Sequence, residues 1–408
     1  MPKQYNLDFI NPVNTIAIGD NLDFLKSAQR KVLQYDIVYI DPPYNTGNKF
    51  SYNDKRSAND WLKFMRDRLV VTRDILRESG VLYISIDDSS LYDLKILCDE
   101  LYGVQNFLGV FITKQAVRSN SNHINTIHEY VVAYAKSKNK LSSFKIKRID
   151  SPGDAVMIKD LSRRVKKELK ANGKASATKL LSKLNSEYMQ KRGMTWLKNY
   201  SQVDDDGRIF FSKDLSVPGQ PNALEIPEIG LKLKPLATRK WSTAKKIMQL
   251  YNEDKLHFKN GRPYEKHYLE DAHDNVSSVL DFYSRQGTND LNKLGLRGLF
   301  DTPKPVELIK YLIRIATYET ENALVLDYFA GSGTTAQAVM EINHEDGKCH
   351  TYHLVQLDEE ISKDTLQYDF AKEHNLALSV DQLMVYRLNA VRDKLKLDDE
   401  LKIIKAGE

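Results

Sequence analysis

Cysteine is nearly missing from this 408-residue chain: Cys98 and Cys349 are the only two. Two thiols cannot build a disulfide framework or a cysteine-rich zinc site, which leaves reduced thiols in a cytosolic protein. No run of 18 apolar residues occurs, so no transmembrane helix is expected. The opening stretch MPKQYNLDFINPVN has no apolar core of the signal-peptide kind, and a cytoplasmic location is expected. GxxxxGK[ST] is absent, which excludes a nucleotide P-loop and any helicase motor built on one; no convincing nuclease site is present either. His123, His128 and His267 show no metal-binding spacing, and no metal is expected. What remains is a soluble globular composition, 41% hydrophobic and 28% charged, long enough for two or three domains or for one large α/β domain with an insertion.

The charge is unevenly spread. The whole chain carries +5, yet residues 151–200 alone hold 12 Lys/Arg against 4 Asp/Glu, a local +8. Phosphate backbones are the commonest partner of such a cluster, and solvated helix faces are the plain alternative. Arg163, Arg164, Lys166 and Lys167 are the candidate phosphate contacts.

Three zones follow one another. Residues 1–140 alternate strand and helix: strands at NTIAI, YDIVYI (35–40), GVLYISID (80–87) and EYVVAYAK (129–136), helices at 59–78 and 89–103. Such alternation predicts a parallel sheet with crossover helices. Residues 141–295 break the rhythm with basic helices at 159–170 and 176–190, a helix in ATRKWSTAKKIMQLYN, and a hairpin at KNGRPYEKHYL; this zone reads as an insertion. Residues 296–408 return to α/β, with a helix at 305–317, the unit LVLDYFAGSGTTAQAV (324–339), and a strand in CHTYHLVQLDEE. The last 20 residues are charged and expected to be helical.

Two strand ends carry the chemistry. YDIVYI runs into Asp41-Pro42-Pro43-Tyr44. Prolines cannot continue a ladder, so this is either a plain strand terminator or a site. In the second case the turn offers a carboxylate and a carbonyl, both acceptors, beside a flat ring, at the sheet edge where open α/β folds bind ligands. An amine on a nucleobase fits such a pair, with Tyr44 stacking on the base. The other strand ends at Asp327, and Gly331 and Gly333 precede a helix that begins near Thr334. This is either a tight turn or a turn that admits a ligand against a helix N-terminus. The strand near 351–357 then ends in Asp358 and Glu359, acids of the kind that hold ribose hydroxyls.

Asp-Pro-Pro-Tyr followed far downstream by Phe329-Ala330-Gly331-Ser332-Gly333 resembles the S-adenosylmethionine-dependent amino-methyltransferases of DNA, in their circularly permuted beta class. With IDPPYNTGN, GVLYISIDD, HEYVVAYAK, FDTPKP and VLDYFAGSGTTAQAV together, the chain is similar to the modification subunits of type III restriction–modification systems over most of 15–140 and 236–358. The resemblance implies a Rossmann-like, mostly parallel α/β sheet, circularly permuted, with residues 1–140 and 296–408 as halves of one methyltransferase domain and 141–295 as an α+β target-recognition insertion. It implies N6 methylation of adenine in duplex DNA, with S-adenosylmethionine as cofactor. Asp41, Pro42, Pro43 and Tyr44 would be catalytic. Asp20, Asp41, Lys304, Asp327, Phe329, Gly331, Ser332, Gly333, Asp358 and Glu359 would line the cofactor, and Asn45 would touch nucleic acid. A homodimer and a helicase–nuclease partner are the implied assembly. Methylation at cytosine N4 or on RNA, an orphan methyltransferase and a non-catalytic DNA-binding subunit are the competing expectations. Asp87 and Asp88 end a second strand on the same sheet edge and either help the site or cap the following helix; His128 and Glu129 are expected to be structural.

Overall fold

A computed structural model describes residues 4–5, 12–44, 57–115, 123–151, 154–192, 194–398 and 401–405. The chain divides into one unit of Met1–Ile146 with Asn275–Glu408 and a second of Lys147–Asp274. The insertion is therefore shorter at both ends than 141–295.

The first unit runs β1 (Thr15–Ile18), α1 (Asn21–Arg30), β2 (Tyr35–Ile40), α2 (Ala58–Ile75), β3 (Leu76–Ile86), α3 (Leu91–Tyr102), β4 (Phe107–Lys114) and β5 (His128–Ala135). After the insertion come β6 (Val279–Tyr283), α4 (Arg285–Lys293), α5 (Val306–Ala316), β7 (Leu324–Asp327), α6 (Thr334–Asp346), β8 (Thr351–Gln356), α7 (Leu366–Glu373), α8 (Val380–Leu395) and β9 (Lys402–Lys405). Its nine strands form one sheet in the order β6-β4-β5-β3-β2-β7-β8-β1-β9. All neighbours are parallel except β5, which runs antiparallel to β3 and β4.

The apolar continuity of YDIVYI has a simple cause: both faces of its strand are covered. Ile37 and Tyr39 enter one core with α5, α6 and α8, whereas Val38 and Ile40 enter the other with α1, α2 and α3. The split chain closes at the sheet centre, where Val325 and Leu326 of β7 pair with Ile37 and Val38 of β2. Asp41 and Asp327, 286 positions apart in sequence, thus leave adjacent strand ends. Open α/β sheets bind ligands beyond such ends.

Several expected elements change. Residues 279–283 were assigned to the insertion but form the edge strand β6, because Leu280 and Phe282 alternate with exposed neighbours and bury in the same core as α5. Strand β4 was not expected. The C-terminal tail is helical only to Leu395; residues 402–405 then extend the sheet beside β1. The second unit is α+β. Its long helix, Ala155–Arg192, is broken at Gly173 (φ 80°), and it packs with a four-stranded sheet ordered 256–259, 262–268, 209–214, 202–203. The expected hairpin turns at Asn260 and Gly261, both at positive φ, as a two-residue hairpin needs. Among the described residues no helix is long and apolar enough to cross a membrane.

Candidate active site

The turn after β2 is held from three sides. Trp61 of α2 donates its indole N–H to the Pro43 carbonyl at 2.7 Å. The hydroxyls of Ser89 and Ser90 each donate to the Tyr44 carbonyl at 3.0 Å. The Tyr44 phenol donates to Asp41 Oδ1 at 2.7 Å. No donor among the described residues engages the Pro42 carbonyl. Asp87 caps the Ser89 N–H at 3.0 Å, and Asp88 accepts from the Tyr130 hydroxyl, whose other partner is His128.

Lys304 sits at the centre of the charges. Its ammonium lies 3.3 Å from Asp41 Oδ1 and 2.8 Å from Glu129 Oε2, and it donates to the Tyr44 hydroxyl at 2.6 Å. Burial alone would lower the lysine, but Asp41 and Glu129 raise it well above its ordinary value. Burial pushes the Asp41 carboxyl up, and the attraction of Lys304 and the Tyr44 hydrogen bond only partly offset this. For Glu129 the balance is reversed. Burial works against ionisation, yet Lys304 and a hydrogen bond from Gln115 hold this carboxyl below its usual range. Glu129 thus shares with Asp41 the ammonium of Lys304. Gly287 of α4 makes room for this arrangement: a Cβ there would lie 1.8 Å from the Pro303 carbonyl oxygen.

The glycine turn faces the same space. Gly331 (φ 51°) and Gly333 (φ 76°) adopt left-handed backbone, and α6 begins at Thr334 as expected. Asp327 is 3% exposed; it accepts from the Phe329 N–H at 3.1 Å and the Thr335 hydroxyl at 2.6 Å. Burial, with Asp41 nearby, pushes its carboxyl up to about 7. A cavity of about 370 Å³ joins these strand ends and is lined by Asp20, Asp41, Lys304, Phe329, Ser332 and Glu359, among others. That volume lies within the roughly 300–1,000 Å³ of small-molecule sites.

Asp20 lines the cavity while capping α1, accepting from the Leu22 N–H at 2.8 Å. Of the two acids after β8, Glu359 lines the cavity and Asp358 is exposed outside it. Arg163 and Arg164 are exposed on the insertion helix and both pair with Asp160; Lys166 and Lys167 are exposed beside them. Asn45 lies outside the described residues. Sequence reasoning did not single out Trp61, Gly287 or Arg68. Arg68 joins α2 to the cavity wall through Asn21 Oδ1 at 2.6 Å and the face of Phe64 at 3.6 Å.

A proline-held carboxylate and a glycine turn thus meet at one cavity beyond adjacent strand ends, the arrangement expected of an amino-methyltransferase. Residues 35–367 match the N6/N4 family described as DNA methylase, and the chain belongs to that family. It is 30% identical over 399 residues to the Mod subunit of the type III restriction-modification enzyme EcoP15I of Escherichia coli, covering 86% of this chain and 59% of that one. It is 30% identical over 405 residues to the EcoPI Mod subunit of Escherichia phage P1, with the same two coverages. Against the type II methyltransferase M.KpnI of Klebsiella pneumoniae it is 29% identical over 406 residues, covering 93% of this chain and 88% of that one. The chain thus spans 59% of the length of these type III relatives.

Proposed function

We propose that this chain methylates the N6 amine of adenine in duplex DNA after flipping the base from the helix, with S-adenosylmethionine as donor. We further propose that it acts as the modification component of a restriction–modification system, as a homodimer beside a separate cleaving subunit. The observation that carries the reading is the meeting of Asp41 and the glycine turn at one cavity in a chain of the DNA methylase family.

The cavity residues fit the donor. Gly331 and Ser332 offer a close backbone wall, Phe329 an apolar surface, and Asp20 and Glu359 acceptors at two further strand ends. When bound there, S-adenosylmethionine supplies a methyl group bonded to a sulfonium. Asp41 and the Pro42 carbonyl present two acceptors to the two N–H groups of the target amine. Accepting both orients the nitrogen lone pair and stabilises positive charge as the nitrogen becomes tetrahedral. The Tyr44 phenol and Lys304 fix the carboxylate through which this happens. Flipping costs a few kcal/mol, which stacking on an aromatic face, roughly 1–3 kcal/mol per base, offsets. Arg163, Arg164, Lys166 and Lys167 of the insertion are proposed backbone contacts, weakened for the two arginines by Asp160.

Methyl transfer from labelled donor to duplex DNA, RNA or protein tests the substrate, and sequencing of modified bases tests the position. Asp41→Ala is expected to lower transfer by at least about a hundredfold, as for loss of a preorganised charge-stabilising group, while donor affinity by calorimetry stays within about threefold. Full activity in that variant refutes the mechanism. Methylation of RNA or of cytosine refutes the substrate assignment.

A further inference from the structure

Arg387 of α8 is fully buried, and no carboxylate among the described residues lies within 4 Å of its guanidinium. Its acceptors are all neutral. Nη1 donates to the Ser332 carbonyl at 3.1 Å, Ser332 Oγ at 2.7 Å and Thr334 Oγ1 at 3.1 Å; Nε and Nη2 donate to Gln337 Oε1 at 3.1 and 2.8 Å. Asp290 and Glu341 act on it only from a greater distance. A buried guanidinium without an ion partner is unfavourable, and a neutral side chain would tether α8 as well. Its position gives the charge a use. Ser332 and Thr334 line the cavity, so the guanidinium stands directly behind the glycine turn. Because a guanidinium only donates, it makes both hydroxyl oxygens acceptors; the Ser332 proton is left for Thr334 Oγ1 or the cavity, while the Thr334 proton also has the Lys304 carbonyl within reach at 3.4 Å. The wall therefore combines the Ser332 hydroxyl, a Thr334 hydroxyl held only by a long bond to the Lys304 carbonyl, the start of α6 and a fixed positive charge, which is the chemistry of a carboxylate pocket.

We propose that Arg387 is a positioning residue that holds the α-carboxylate of the donor through Ser332 and Thr334, without touching it. The inference rests on the cofactor reading above and adds a helix beyond residues 35–367, where the family match ends. Lys304 also lines the cavity, but its ammonium is engaged by Asp41 and Glu129.

Calorimetry of the full chain with S-adenosylmethionine and with its decarboxylated form tests this, since the two ligands differ only in the carboxylate. Arg387→Gln is expected to weaken the first by about tenfold or more, the scale of a lost charge-assisted interaction, and to leave the second within about twofold. Gln337→Glu sets a carboxylate against the retained guanidinium and is expected to produce the same selective loss; it decides the matter if Arg387→Gln does not fold. Arg387→Lys is expected to retain most of the discrimination. Equal loss for both ligands, or no loss, overturns the proposal and leaves Arg387 a structural tether. If the unaltered chain binds neither ligand, the cofactor reading fails first, which is a distinguishable result.

Discussion

Replacing Lys304 by methionine tests the charge arrangement with little change in volume. The ammonium lies 3.3 Å from Asp41 and 2.8 Å from Glu129, and all three side chains are less than a third exposed. Removing one partner of a buried ion pair costs about 3–5 kcal/mol, because the remaining charge is left uncompensated. A proton limits that cost. Asp41 is already raised, and without Lys304 the ionisable groups beside it include two acids, Glu129 and Asp327, so one carboxyl takes up a proton. Holding the site singly protonated costs about 1.4 kcal/mol for each unit by which pH exceeds that pKa. The sign follows from proton binding. In the unaltered chain Glu129 is depressed and Lys304 raised, so both contribute between pH 5.5 and 8: Glu129 loses its contribution only as pH falls through its depressed value, and Lys304 only as pH rises above about 10.4. In Lys304→Met the folded form binds one more proton than the unfolded form over this window, so stability falls as pH rises. Urea denaturation is expected to show a loss of about 3–5 kcal/mol at pH 8 that shrinks by about 3.5 kcal/mol, to about 0–1.5 kcal/mol, at pH 5.5. Adding Glu129→Gln is expected to flatten the pH dependence. A penalty equal at both pH values, or below about 1 kcal/mol at pH 8, refutes the reasoning.

Gly287→Ala places a methyl group 1.8 Å from the Pro303 carbonyl oxygen, so the segment leading to Lys304 must shift. The expected cost is about 1–3 kcal/mol of stability, read by urea denaturation, together with a fall in methyl transfer; unchanged values of both would show that α4 gives way instead. Asp327 has a folded pKa of about 7, far above that of an unfolded carboxyl, so its contribution to stability falls as pH rises from about 4 to 7. Asp327→Asn is expected to remove that slope and to gain about 1–3 kcal/mol at pH 8 but not at pH 4; parallel stability curves for the two proteins would contradict this.

Much of the first unit was legible because buried parallel strands are continuous apolar runs and their helices have capping residues. YDIVYI, LVLD and the start of α6 fell where the pattern put them. The misreadings share a cause. Strands β6 and β9 lie at the two edges of the sheet, where covering is one-sided and the apolar signal correspondingly short. The pairing of Glu129 with Lys304 was missed for a related reason. Functional acids were sought at strand ends, and Glu129 is near the start of β5. That strand is antiparallel to its neighbours, so its beginning lies at the edge where the parallel strands end. Gly287 and Arg387 carry no local signal, since their importance depends on what packs against them from 16 and 55 positions away, Pro303 and Ser332.

The position of Lys304 also bears on what kind of acceptor Asp41 is in the proposed reaction. The amine of adenine is conjugated with its ring and does not surrender a proton readily while neutral. A carboxylate neutralised by an ammonium at 3.3 Å is a weak base and has no means of forcing that step. It does accept a hydrogen bond, and this becomes much stronger when the nitrogen gains its fourth bond and turns cationic. The proton is then acidic enough for Asp41 to take, because burial has raised this carboxyl despite Lys304. The same lysine that restrains Asp41 at the outset is held by Glu129, which stays ionised. Orientation first and proton acceptance second is therefore the order that these charges support, and Glu129 acts on it through Lys304.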